Sequence, residues 1–207
     1  MDEVNKLLAA GFIWEVYYSD CLPNVVLVNK TNGKWKICMD FTDLNKAYPK
    51  DNFPLPRIDQ LVDSIAGHKL LTFMDAFSGY NQIKMAEEDQ EKTVLIRSQG
   101  LYCYKVMPFR LKNVGATYQR LVNKMFSKQI EKNMEVYVDD MLIKSKEESA
   151  HLDDLQEKFT TLRQYRMKLN PSKCAFRVAL RKFLGFMMSA TLIREEDKRQ
   201  LLVYYVS

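Results

Sequence analysis

The stretch Met134-Glu135-Val136-Tyr137-Val138-Asp139-Asp140-Met141-Leu142-Ile143-Lys144-Ser145 decides how the rest of the chain is read. Two apolar runs meet at an acidic pair, the pattern of two strands joined at Asp139-Asp140. Turns between strands ordinarily recruit Gly, Asn or Pro. Two adjacent carboxylates at the tip of an apolar hairpin repel each other, and that arrangement is costly unless a cation compensates them. The plain alternative is that aspartate tolerates the turn conformation and points to water.

Upstream, Leu70-Leu71-Thr72-Phe73-Met74 is a second apolar strand, and it too runs into an acid, Asp75. Ala76-Phe77-Ser78-Gly79-Tyr80 then has the pattern of a strand-to-helix turn exposing successive backbone N–H groups, a geometry suited to phosphate oxygens. An acid that holds a metal beside such a turn is a sensible arrangement for phosphoryl transfer. Asp75 as an ordinary helix N-cap is the competing reading. Spacing along the chain does not by itself bring Asp75 to Asp139.

Working outward, Val4, Leu7 and Leu8 stopped by Gly11 predict a short opening helix. The run 24–29 and the alternating run 34–39 flank Thr31-Asn32-Gly33 and predict a hairpin, because Asn-Gly tolerates the positive φ of a tight turn. Pro49, Pro54 and Pro56 make 48–56 an extended crossover. Ile58, Leu61, Val62 and Ile65 give a helix ending at Gly67, and 93–97 with 101–106 give a second hairpin with Gly100 in its turn. Two longer helices follow. One carries Leu121, Val122, Met125, Phe126 and Ile130; the other carries Leu152, Leu155, Phe159 and Leu162, with Ser145 to Glu148 as a capping box. The last strand-like segment is 174–189. The sum is α+β, hairpins segregated from amphipathic helices.

Composition narrows the chemistry. The chain has 207 residues, 47% hydrophobic and 28% charged, enough to build a core, and its net charge of +5 permits nucleic-acid binding without demanding it. The four cysteines form no Cys-x-x-Cys pair, and the two histidines, His68 and His151, sit near none of them. Zinc sites, a dense disulfide framework and Ser-His-Asp chemistry are therefore poorly supported. No apolar run approaches the roughly 20 residues needed to span a bilayer, so the expectation is a soluble, intracellular protein without a membrane partner.

Taken together the segments resemble the reverse transcriptase of gypsy-type LTR retrotransposons, over roughly residues 3–189. Tyr137-Val138-Asp139-Asp140 matches that family's hallmark box, and 73–83 (Phe-Met-Asp-Ala-Phe-Ser-Gly-Tyr-Asn-Gln-Ile) matches its first catalytic motif. Residues 34–46 match the fingers motif. Met107-Pro108-Phe109, Leu111-Lys112-Asn113 and Ala116-Thr117-Tyr118-Gln119-Arg120 match the motif beside the incoming nucleotide. Lys168 to Cys174 and Phe183-Leu184-Gly185-Phe186 complete the series in order. The resemblance implies the fingers and palm of a right-hand polymerase, an antiparallel palm sheet backed by helices. Residues 1–189 would form the domain: fingers near 1–67 and 89–107, palm near 68–88 and 108–189, and a divergent tail at 190–207.

It also implies roles. Asp75, Asp139 and Asp140 would hold two Mg²⁺ ions, with the Ala76 backbone as a further candidate ligand, while a primer 3′-hydroxyl attacks the α-phosphate of a dNTP on an RNA or DNA template. Lys36, Ala76, Phe77, Ser78, Gly79, Tyr80, Phe109 and Gln119 would bind nucleotide. Within that set Ser78 and Gly79 offer amides to the triphosphate, and Tyr80 excludes a 2′-hydroxyl by bulk. Phe183, Leu184, Gly185 and Phe186 would grip the primer, and Lys173 would add positive charge near the departing pyrophosphate. Virus-like particles in the cytoplasm are the location that the resemblance allows.

Three departures stand out. Arg110 replaces a glycine whose presence suggests positive φ or a close approach, Asn29 replaces a lysine, and Lys36 replaces the more usual arginine. No thumb, connection, RNase H, integrase or protease segment is recognisable. A decayed or truncated remnant that at most binds nucleic acid is therefore the competing expectation. An RNA-dependent RNA polymerase palm shares the metal logic, but Val138 and Tyr80 count against it.

Overall fold

Helix α1 (Glu3–Ala9) ends ahead of Gly11, whose φ of +70° is free of the Cβ penalty other residues meet there. This computed structural model describes residues 3–18, 24–29, 35–65, 67–178, 180–183, 186–189, 193–196 and 199–202, with backbone alone at residue 3, at 24–29, at 35–39 and from 180 onward. β1 (Ile13–Val16) follows. β2 (Asn24–Asn29) pairs antiparallel with β3 (Trp35–Asp40), Asn29 opposite Trp35. The Asn32-Gly33 turn of this hairpin lies outside the described residues.

After α2 (Thr42–Ala47), residues 48–56 are neither helix nor strand, as three prolines dictate. α3 (Ile58–Asp63) stops at Ser64, short of the Gly67 boundary expected from its apolar spacing. β4 (Leu70–Asp75) leads into a 3₁₀ turn at Gly79–Gln82, then α4 (Glu87–Gln90), β5 (Val94–Arg97) and β6 (Gly100–Tyr104). Arg97 pairs with Gly100, so Ser98-Gln99 makes that turn and Gly100 opens the strand instead of sitting in the turn. α5 (Val114–Met125), β7 (Met134–Tyr137), β8 (Asp140–Ser145), α6 (Glu148–Gln164) and β9 (Ala175–Val178) follow. Two hairpins complete the described chain, β10 (Leu180–Phe183) with β11 (Phe186–Ser189), and β12 (Ile193–Glu196) with β13 (Arg199–Leu202).

The chain divides into two compact units, residues 1–52 with 78–118 and residues 53–77 with 119–207. In the first unit the antiparallel sheet β1-β6-β5 packs Ile13, Leu95 and Tyr102 against Val4 of α1 and Phe41. A second cluster gathers Val16, Val94 and Cys103.

The second unit is built on an antiparallel sheet in the order β7-β8-β4-β9. Leu71, Phe73 and Leu142 on one face meet Ile65, just beyond α3. The central strands β4 and β8 are buried on both faces, which explains why Leu70 to Met74, Thr72 apart, and Met141 to Ile143 read as apolar runs. Buried Lys144 donates to Glu135 Oε1 (2.6 Å) and to the Ser64 carbonyl (2.9 Å), so its charge is matched inside the fold.

α6 corrects its predicted face. Its buried residues are His151, Leu155, Lys158 and Leu162, whereas Leu152 is 69% exposed. The helix turns this stripe inward because His151 completes a buried chain of hydrogen bonds. The Arg177 amide donates to Thr72 Oγ1 (3.1 Å), which lies 2.9 Å from His151 Nε2; His151 Nδ1 lies 2.8 Å from Ser145 Oγ, whose hydroxyl donates to Asp154 Oδ2 (2.7 Å). The single Ser145 proton goes to Asp154, so His151 Nδ1–H donates to Ser145 and Nε2 accepts from Thr72. The predicted capping box is absent for the same reason. Ser145 ends β8 and Glu147 is the N-cap, without a side-chain cap.

Candidate active site

The register of β4 against β8 sets Asp75 directly opposite Asp140. Side chains so paired stand with Cβ atoms about 4.5–5.5 Å apart. Tyr137 pairs with Asp140, so Val138-Asp139 forms a two-residue hairpin turn. The Asp139 carbonyl accepts the Ala76 N–H at 3.3 Å, which ties that turn to the end of β4. Asp75, Asp139 and Asp140 thus gather at one end of the second unit's sheet. Folding supplies the proximity that chain spacing could not.

Burial pushes the Asp139 carboxyl above its usual range, and the charge of Asp75 adds to that effect. Lys173 Nζ donates to Asp75 Oδ2 at 3.1 Å, and it is held more basic than usual, first by that bond and then by the charges of Asp75, Asp139 and Asp140. One lysine is thus within electrostatic reach of all three carboxylates. Among the described residues, no group of three acid, imidazole or thiol side chains, the three aspartates included, is placed so that it could hold a metal ion as it stands. The donor set nevertheless fits a hard divalent cation. It is all oxygen, from three adjacent aspartates, with a carboxylate held at an electrostatic cost that a cation would remove.

The turn itself is strained. Val138 holds φ at +54°, a region where a β-branched residue is an outlier. Asp139 is not among the positive-φ residues, so the turn follows the type II′ pattern, in which Gly is ordinary at the first central position. Gln119 of α5 meets this turn. Its Oε1 accepts the Val138 N–H at 2.7 Å, while its Nε2 donates to the Val136 carbonyl (3.2 Å) and to Asn123 Oδ1 (2.9 Å). Gln119 is fully buried, so it lines the back of the acidic turn.

The amides after Asp75 are not a free run. Ala76 N–H goes to Asp139, and Phe77 N–H donates to the Lys168 carbonyl at 2.9 Å. Ser78, exposed at φ +48°, and Gly79 begin the 3₁₀ turn of the first unit. In that unit Tyr80 is brought together with Phe109, ring centroids 5.9 Å apart, and meets buried Tyr118 edge-on at 5.7 Å. Phe109 remains 65% exposed, an aromatic face open to solvent beside Tyr80. Lys36 pairs through its backbone with Val28. Phe183 and Phe186 close the β10–β11 hairpin as opposite partners, and Leu184 and Gly185 between them lie outside the described residues.

Arg110 holds φ at +84°, the conformation that glycine adopts without cost. Its carbonyl accepts from Asn45 Nδ2 (3.0 Å), and Asn45 Oδ1 accepts the Lys112 N–H (2.7 Å). Asn113 repays the contact along the same segment, donating to the Pro49 carbonyl (2.9 Å) and accepting the Asp51 N–H (3.0 Å). Sequence reading assigned Asn45 and Asn113 no such part. Asn45 lies mid-helix in α2, where asparagine is a poor helix former, and that was the available signal.

The model of the family described as reverse transcriptase (RNA-dependent DNA polymerase) matches residues 28–188. The chain is 31% identical over 188 residues to the transposon Tf2-3 polyprotein of Schizosaccharomyces pombe, covering 91% of this chain and 14% of that protein. It is 33% identical over 171 residues to the retrovirus-related Pol polyprotein from transposon 412 of Drosophila melanogaster, covering 83% and 14%. It therefore spans about one seventh of the length of these relatives. Among solved structures, the foamy viral protease–reverse transcriptase in complex with an RNA/DNA hybrid superposes with a TM-score of 0.83 at 20% identity, covering 91% of this chain and 25% of that one. The prototype foamy virus protease–reverse transcriptase CSH mutant gives 0.79 at 22%, covering 90% and 25%. Ordered motifs, an antiparallel sheet carrying three clustered aspartates, and these likenesses lead to one conclusion: the chain belongs to the reverse transcriptase (RNA-dependent DNA polymerase) family, in the branch of LTR-retrotransposon Pol polyproteins.

Proposed function

We propose that this chain carries the nucleotidyl-transfer centre of an RNA-directed DNA polymerase, extending a primer 3′-hydroxyl with dNTPs on an RNA or DNA template. The observation that carries this reading is the clustering of Asp75, Asp139 and Asp140 at one sheet end, with Asp75 opposite Asp140 in register. The second unit acts as the palm and the first as the fingers. Asp75, Asp139 and Asp140, with the Ala76 carbonyl as a further ligand, are the residues to hold two Mg²⁺ ions. When bound, such ions supply charge stabilisation to the attacking and leaving oxygens of an in-line displacement. Burial raises the pKa of the Asp139 carboxyl, and a bound cation would offset that cost.

Lys173 moves from Asp75 toward the product side, where its ammonium meets pyrophosphate. In the first unit, Tyr80 and Phe109 form an aromatic platform for the sugar and base, and Tyr80 restricts a 2′-hydroxyl by bulk. The amides of Ser78 and Gly79, with Lys36 of the same unit, meet the triphosphate. Phe183 to Phe186 hold the primer. The foamy virus relative was captured with an RNA/DNA hybrid and others with double-stranded DNA, which supports a template-primer as the partner here. No described helix is long and apolar enough to cross a membrane.

A second reading, a decayed domain that binds nucleic acid without catalysis, is favoured by one observation: Arg110 occupies a left-handed position suited to glycine, one residue after Phe109. Primer extension on poly(rA)/oligo(dT) separates the two. Mg²⁺-dependent extension that disappears in Asp139→Asn supports the polymerase. Template-primer binding without extension, in the wild type and in Arg110→Gly alike, supports the remnant.

A further inference from the structure

Gln119 matches a motif placed beside the incoming nucleotide, yet the geometry gives it a different task. It has no exposed surface, and three of the four hydrogen bonds its amide can make, including both N–H donors, are used within the second unit. The bond to the Val138 N–H fixes which way the amide points, because only the oxygen can accept from an N–H. With Oε1 on Val138, the two Nε2 protons fall to the Val136 carbonyl and Asn123 Oδ1. One side chain therefore grips the strand entering the acidic turn and the first residue of the turn itself.

That first residue needs holding. Val138 sits at φ +54° with a branched Cβ, in a conformation L-residues avoid and β-branched ones avoid most. It is also 7% exposed, wedged in place from its side chain as well as its amide. A relaxed turn would move Asp139 directly and Asp140 through the strand that begins there. Strain of this kind persists only where the surroundings over-determine it.

We propose that Gln119 is a positioning residue. From the back of the sheet it clamps the strained Val138-Asp139 turn and thereby sets the aim of Asp139 and Asp140, without touching nucleotide or template. The catalytic consequence rests on the polymerase reading above; the clamp does not. Asn123 orients the Gln119 amide from one helical turn further along α5.

The test has an arm independent of activity. Hydrogen exchange followed by NMR on the wild-type chain is expected to show the Val138 amide protected, with protection reduced at least about tenfold in Gln119→Met, a substitution that keeps the length and removes the amide. In primer extension, Gln119→Met is expected to lower kcat by about 10- to 100-fold while the dNTP KM stays within about threefold, as misaimed groups do. Gly at 138 relieves the left-handed strain, so adding Gln119→Met to Val138→Gly is expected to cost less than about threefold. An unprotected wild-type Val138 amide overturns the proposal. So does a large rise in dNTP KM with kcat intact, or an equal loss from Gln119→Met in both backgrounds. A protected amide in a chain that extends no primer keeps the clamp and overturns only the polymerase reading.

Discussion

Arg110 is held at φ +84° by the Asn45 bond to its carbonyl and by Asn45's grip on Lys112. A residue with a Cβ costs about 1 kcal/mol more than glycine in that region. Arg110→Gly is therefore expected to stabilise the chain by about 1 kcal/mol, measured as a shift of the urea midpoint at constant slope. A loss of stability would mean that the arginine side chain itself holds the turn. This strain was legible in the sequence because the matching position of the family carries glycine. The clustering of the aspartates was only half legible. Residue chemistry marked Asp139-Asp140 as an odd turn and Asp75 as a strand-ending acid, but their meeting depends on the register of β4 with β8. Gln119 reads as a pocket residue because a motif records position, not direction; its side chain is fully buried and bonded to Val136 and Val138. The corrective signal was present, since it falls on the same helix face as Val122 and Phe126, where a polar group must find buried partners.

At the scale of elements, α6 shows why spacing alone chose the wrong stripe. Leu152, Leu155, Phe159 and Leu162 satisfy helical periodicity, yet a stripe rotated by one residue at two of those positions buries His151 and Lys158. Hydrogen bonds to Thr72 and Ser145 decide it, and no window of local sequence contains Thr72. Leu162→Ala is expected to cost about 3 kcal/mol of unfolding free energy, and Leu152→Ala less than about 0.5 kcal/mol. Equal losses would restore the predicted stripe. His151 adds a pH dependence. Burial lowers its pKa, so the unfolded chain takes up a proton below the ordinary histidine value of about 6.5 while the folded chain stays neutral until lower pH. Its contribution is complete above about pH 6.5 and declines as pH falls from there toward the depressed native value. Comparing unfolding midpoints across that range, the wild type should fall more steeply than His151→Gln. Parallel curves would show that His151 titrates alike in the folded and unfolded chain.

For the whole molecule, class and much of the element order were legible, because hairpin, helix and proline signals are local, whereas β1, α2, α4 and the β12–β13 hairpin were not foreseen. Where the chain exchanges between its two compact units depends on contacts far apart in sequence, which no local signal reports. The account rests on the three aspartates acting together as one divalent-cation site. The most direct test counts ions in a complex of the chain with template-primer and a non-hydrolysable dNTP, using Mn²⁺ in place of Mg²⁺ and electron paramagnetic resonance to follow the free ion. The wild-type chain is expected to bind two Mn²⁺ above the template-primer and nucleotide background, and Asp75→Asn and Asp139→Asn each to bind fewer. Binding of two ions by both variants, at the wild-type affinity, would contradict it.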